Sequence, residues 1–147
     1  MELNPIVKTS LIKIDFIKSY DIDLIFSDDN NLLDNPVSNH IDLNVHHLGG
    51  KRILIDKRQD ELYKILLDTG MDVIRTEDYI CSPYPKDCAL NCFRIGEYLF
   101  CNKNITDNLI LNEFRDYKIA HINQGYSKCS TLLLDEKTFI TDDTTIY

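Results

Sequence analysis

The chain has 147 residues, 44% of them hydrophobic and 27% charged, which suits one domain of ordinary size and leaves no room for a second. Sixteen lysines and arginines stand against 24 aspartates and glutamates, and a net charge of -8 excludes nucleic acid from the expected partners, because phosphate would be repelled. No apolar run approaches the roughly 18 residues of a membrane span, and the Met1 end has neither the basic nor the uninterrupted apolar stretch of an export signal; the expectation is a soluble, cytoplasmic chain with no membrane partner.

Val7, Leu11, Ile14 and Ile17 recur at spacings near three and four, which predicts an amphipathic helix over Val7 to Tyr20. Ile22 and Leu24 to Phe26 form a short apolar run that reads as a buried strand, and Ser27 to Asn39, rich in Asp and Asn and containing Pro36, reads as an exposed loop. Strands are expected over Ile41 to Leu48 and Arg52 to Asp56, joined by a turn at Gly49-Gly50. Leu62, Tyr63, Ile65 and Leu66 mark a helix over Arg58 to Asp68 that Gly70 closes, and Met71 to Arg75 follows as a strand. Ser82-Pro83-Tyr84-Pro85 interrupts any regular structure.

The same order then returns. Cys88 to Ile95 and Tyr98 to Cys101 read as strands around a Gly96-Glu97 turn, Thr106 to Phe114 as a helix capped by Thr106, and Lys118 to Asn123 as a strand. Cys129 to Leu134 and Thr138 to Thr141 give a third hairpin. The two turns lie about 47 residues apart and the two helices share nearly that offset, so the repeating unit is strand, strand, helix, strand. Two units are complete; a helix and strand precede them and a hairpin follows.

The starts of the three first strands hold the candidate functional residues: His40 and Asp42, then Asp87 and Asn91, then Lys128 and Cys129. His40 and Cys129 have the chemistry of a base and a nucleophile, and Asp42, Asp87, Asn91 and Lys128 that of ligand contacts. Each has a structural alternative. On a strand, His40 and Asp42 would share a face, either as an oriented pair or as a solvated edge. Asp87 can cap a loop, Asn91 can be a buried structural amide, and Cys129 can be a small core residue.

The five cysteines are an odd number and suit a reduced setting in which the core needs no disulfide. Cys81, Cys88 and Cys92 are seven and four apart, with no CxxC pair and no His at finger spacing, while His46 and His47 point to opposite faces of a strand; no metal or other cofactor is expected. Phosphate loops, nucleophile elbows and HExxH helices have no counterpart here.

Four stretches, His40-Ile41-Asp42-Leu43, Tyr84 to Asn91, Asn102 to Asp107 and Gln124 to Thr131, resemble an uncharacterised bacterial family of the pentein, or guanidino-group-modifying, superfamily. The resemblance runs from about Asp21 onward, with Ile41 in place of the family's usual proline. It implies an α/β propeller of ββαβ units in which carboxylates grip a guanidinium and a Cys attacks it with help from a His. Asp42, Asp87 and His40 would then line the axial pocket. The last unit, where those enzymes keep their nucleophilic Cys, has no counterpart in this sequence, so the expectation is one partial domain over 1–147: an incomplete ring of the pentein type. Either the chain is a fragment or a natural truncation, or self-association would cover its open edge. Two functions follow, either a relative of guanidino-group hydrolases and amidinotransferases, or a non-catalytic module for a small cationic, guanidino-type ligand or a partner chain.

Overall fold

A computed structural model describes residues 19–20, 24–27 and 29–142. The helix expected over Val7 to Tyr20 lies outside them but for its last two residues, as does Ile22 of the first expected strand. Leu24 to Phe26 is irregular rather than a strand, with Ile25 and Phe26 exposed. The Asp- and Asn-rich loop is a series of turns, but not wholly exposed: Asn30 and Leu33 are buried.

The rest is a mixed α/β structure of small sheets and short helices. Helix α1 (Ile41–Asn44) leads into strand β1 (Val45–Gly49), which pairs antiparallel with β2 (Arg52–Ile55). Helix α2 (Asp60–Asp68) then crosses to β3 (Asp72–Arg75), parallel to β2. After a 3-10 turn at Lys86–Cys88, β4 (Phe93–Ile95) and β5 (Tyr98–Cys101) form the next antiparallel pair, and α3 (Asn108–Glu113) crosses to β6 (Lys118–His121), parallel to β5. Strands β7 (Thr131–Leu133) and β8 (Phe139–Thr141) make a third antiparallel pair.

The first two sheets repeat one another at their parallel strand pairs and at the turns into their helices. Asp72 N donates to Lys51 O at the foot of the first sheet, and Lys118 N to Glu97 O at the foot of the second. At the opposite end, Thr76 N reaches Ile55 O where Ile122 N reaches Cys101 O. Beyond the middle strand, Asp56 Oδ1 accepts from Arg58 N and Asn102 Oδ1 from Asn104 N, so the same Asx turn leads into both helices. The repeat expected from turn spacing is thus present as two units of ββαβ order.

Helix α2 ends in a Schellman arrangement: Met71 N donates to Leu66 O and Gly70 N to Leu67 O, with Gly70 at φ +79°. Helix α3 starts later than Thr106, because the Asp107 carboxylate takes the capping role by accepting from Leu109 N at 2.7 Å. The Thr106 hydroxyl instead donates to Asn102 O.

Alternation along the middle strands distributes the core. On β2, Ile53 and Ile55 pack against Leu62 and Leu66 of α2, while Leu54 faces the other way into a cluster with Leu48, Leu99, Cys101, Ile110 and Phe114. The second unit's helix and middle strand therefore cover the face of the first sheet that α2 leaves open. The second sheet's own open face, Phe93 and Ile95 with Phe100, packs against Phe139 of β8. Arg52 of β2 adds an ion pair to Glu113 of α3 across the same boundary. On the third pair, Leu132 and its partner Ile140 are 62% and 57% exposed, an apolar cross-strand pair that no described helix covers.

A buried polar network pins the first loop to the first unit. Asn30 Nδ2 donates to Asn44 Oδ1 at 2.7 Å, Asp56 Oδ2 at 3.0 Å and Ile80 O at 3.1 Å. Arg58 Nη2 donates to Asn30 Oδ1, to Asp56 Oδ2 at 2.9 Å and to Ile80 O. Asp56 is fully buried, so removing it takes the counter-charge from Arg58 and leaves the Arg58 backbone N–H without its acceptor. Asp56→Ala is expected to lower stability by about 3 to 5 kcal/mol, read from urea unfolding midpoints; a loss under about 1 kcal/mol would show that solvent reaches the network.

His46 is the second buried polar anchor. Its Nδ1 lies 3.1 Å from Leu90 O, and its ring meets Phe114 edge to face, while neighbouring His47 is exposed on the opposite face. Burial, with the Lys128 charge next, pushes His46 from 6.5 down to about 4. The unfolded chain therefore takes the proton first, and stability falls as pH drops from 6.5 toward 4, at about 1.4 kcal/mol per pH unit. Unfolding midpoints across that window should show the slope, and His46→Gln, which keeps a donor for Leu90 O, should flatten it. An equal slope in the variant assigns the effect to other groups.

Candidate functional site

The segment carrying His40 and Asp42 is not a strand. Leu43 N and Asn44 Nδ2 both donate to His40 O, which closes a helical turn over Ile41–Asn44, and β1 starts only at Val45. Asp42 is thus in the first turn of α1 with His40 as its N-terminal neighbour, and their proximity comes from that turn rather than from a shared strand face. His40 Nδ1 stands 3.9 Å from Asp42 Oδ1.

Cys88 to Cys92 is likewise not the start of a strand, since Asn91 N donates to Cys88 O and Cys92 N to Leu90 O, and these turns delay β4 until Phe93. The turn buries Asn91 to 2% exposure and gives its amide a full set of partners. Nδ2 donates to Asp42 Oδ2 at 2.9 Å and lies 3.0 Å from Cys129 Sγ, while Oδ1 accepts from Lys128 N at 2.9 Å and Cys129 N at 3.2 Å. Its backbone oxygen accepts from Ser127 Oγ. Cys129 itself lies in the turn ahead of β7, and its thiol donates to Asp42 Oδ2.

His40, Asp42, Asn91 and Cys129 therefore come together, with Lys128 contributing its backbone N–H. The ligand atoms of His40, Asp42 and Cys129 all lie within 4.8 Å of one another. Spacing along the chain does not reveal this group, because Asp42 and Cys129 are 87 residues apart. Although Cys129 as a residue is exposed, its sulfur turns inward to Asp42 and Asn91. Partial desolvation and then the Asp42 carboxylate push its thiol up to about 12. Such a thiol is a poor nucleophile near neutrality.

Asp87 belongs to a separate cluster. It is 3% exposed, and its two oxygens accept from the Cys88 thiol at 3.1 Å and from the Tyr126 hydroxyl. Burial, reinforced by Asp87, raises both the Cys88 thiol and the Tyr126 phenol well above their ordinary ranges. Gly125 makes the approach possible: a Cβ there would lie 2.7 Å from Cys88 Cβ and 2.9 Å from Ile105 Cδ1. Tyr126 was not among the residues singled out from the sequence, and an aromatic beside a glycine carries no signal for this contact.

Two clefts lie elsewhere. One of about 610 Å³ runs between Arg94 and Tyr117 and the third hairpin, and one of about 590 Å³ between the 77–86 and 103–108 loops. In the second, burial and then the nearby Glu77 and Asp78 raise the Asp107 carboxyl above its usual range. All five cysteines are free thiols, and no helix among the described residues is long and apolar enough to cross a membrane.

Fold and site together define a mixed α/β chain with a carboxylate, an imidazole and a thiol at one corner. The chain belongs to a family of unknown function (DUF6873), which matches it over residues 8–147. Comparison with curated proteins and with solved structures gave no match.

The raised thiol is directly testable. Asp42→Asn removes the charge that disfavours the thiolate, so iodoacetamide should alkylate Cys129 several-fold to roughly tenfold faster near neutral pH. Peptide mass spectrometry assigns the modified residue, and an unchanged rate would mean that burial alone holds the thiol up.

Proposed function

We propose that the chain is a pentein-type domain, built of ββαβ units of the kind that close into a propeller, and that it binds a small guanidino-type cation at Asp42 without turning it over. The observation that carries this reading is the Asp42 carboxylate, held on one oxygen by the buried Asn91 amide and presented at a partly open corner beside His40. A planar guanidinium offers paired donors that a fixed carboxylate meets well. The net charge of -8 draws a cation toward it.

Binding is favoured over turnover by the state of Cys129. Its thiol is hydrogen-bonded to the carboxylate that would grip the substrate and is pushed up to about 12, so a cation at Asp42 displaces this contact before any attack can begin. Asp87, with both oxygens engaged internally, has a structural part in this reading rather than a ligand-binding one.

Calorimetric titration of the metal-free chain with agmatine, arginine and methylguanidine tests the proposal. Saturable binding is expected, weakened roughly tenfold in Asp42→Asn, the loss of about one charge-assisted hydrogen bond. Neither ammonia nor citrulline should be released. Absent binding, or equal binding by the variant, overturns the ligand assignment; product release that Cys129→Ser abolishes would instead establish an enzyme.

A further inference from the structure

The corner that presents Asp42 also joins an imidazole nitrogen, a carboxylate oxygen and a thiol sulfur, three donors that a guanidinium does not need together. We propose that His40, Asp42 and Cys129 form a binding site for a thiophilic divalent cation of the zinc type, three protein ligands with the fourth position open.

The geometry suits such an ion. Zinc bonds of about 2.0 Å to nitrogen or oxygen and about 2.3 Å to sulfur place the tetrahedral ligand atoms of such a set roughly 3.3 to 3.5 Å apart. The three ligand atoms lie within 4.8 Å of one another and His40 Nδ1 is 3.9 Å from Asp42 Oδ1, so side-chain shifts of up to about an ångström bring the set to bonding geometry. The thiol hydrogen of Cys129 points at Asp42 Oδ2, along the edge that the cation would bridge. Binding replaces that hydrogen: the thiolate bonds to the metal and the proton leaves to solvent, with no change in oxidation state.

The set is mixed in softness, and this separates it from a chance group of surface acids. Sulfur and imidazole select zinc-like ions over magnesium or calcium, which seek oxygen alone. Behind the ligands stands a fixed support. Asn91 Nδ2 orients the Asp42 carboxylate at 2.9 Å, Asn91 Oδ1 holds the Cys129 backbone N–H, and Asn44 Nδ2 holds the His40 carbonyl at 3.0 Å. Two segments far apart in sequence are thereby fixed at one point before any ion arrives.

This site stands independently of the guanidinium reading, since it depends on His40 and Cys129, while the two occupants share Asp42 and would compete for it. The test uses the full chain stripped of metal by a chelator. Titration with Zn²⁺ against a chromogenic chelator should give one equivalent, and Co²⁺ should produce a thiolate-to-metal absorption band. Cys129→Ser should abolish the band and weaken zinc binding at least tenfold; His40→Ala, an exposed position, should weaken it comparably; Cys81→Ser should bind as the native chain does. Circular dichroism verifies that each variant is folded. Absence of a tight equivalent, a cobalt complex without the thiolate band, or native affinity in both Cys129→Ser and His40→Ala overturns the proposal. Agmatine binding without zinc binding removes this site and leaves the guanidinium reading intact, zinc binding alone does the reverse, and if both occur zinc should lower the affinity for agmatine.

Discussion

Three loops meet at the side-chain amide of Asn91. Its nitrogen holds Asp42 from the turn before β1, its oxygen holds the backbone of Lys128 and Cys129 from the turn before β7, and Asn91 itself ends the turn before β4. A buried amide without partners would cost several kcal/mol, so the three strand starts are held in one mutual arrangement. That same residue orders the candidate site, because it touches both the Asp42 carboxylate and the Cys129 sulfur that meet there. Stability and ligand geometry share a single hydrogen-bonding group, and neither can be changed without the other.

Around this point the repeated units cover one another. Each ββαβ sheet has one face under its own helix and one face open, and the open face of the first is closed by α3 together with the inward residues of β5. The second open face relies on Phe139 of a two-stranded hairpin. Among the described residues, covering therefore goes from a helix and strand at the first boundary to Phe139 at the second, and the exposed Leu132–Ile140 pair lies at that end.

What local pattern encodes was legible before the structure. Both hairpin turns, the middle strands, the crossing helices and the offset between units follow from periodicity and from Gly at turns. What long-range hydrogen bonding decides was not. Ile41, Leu43 and Val45 alternate as a strand would, yet the carbonyl of His40 is claimed by Leu43 N and the Asn44 amide, and the segment coils. The apolar run from Cys88 misleads for the same reason. Thr106 and Asp107 are both good caps; the Thr106 hydroxyl turns back to Asn102 O, and the Asp107 carboxylate takes Leu109 N. The strand-start residues can be singled out by type, but which of them touch across loops depends on contacts spanning 37 to 87 residues. No periodicity extends that far.

Asp42 and Asp87 show how a repeating scaffold comes to have one site and not several. Both are acids near the start of a first strand, and sequence assigns them one chemistry. Asp87 sits in a 3-10 turn pressed against the glycine at 125, so a phenol and a thiol reach it and solvent does not. Asp42 sits on the outer side of a helical turn whose inner positions, Leu43 and Asn44, are buried, so one edge of its carboxylate stays in contact with water. Identical groups thus diverge through their neighbours: the one closed in has both oxygens spent on hydrogen bonds within the fold, and the one at the rim is the carboxylate on which the proposed ligand reading rests. The repeat in the backbone is broken by a glycine and a turn, and the difference between the two carboxylates follows from burial rather than from residue type.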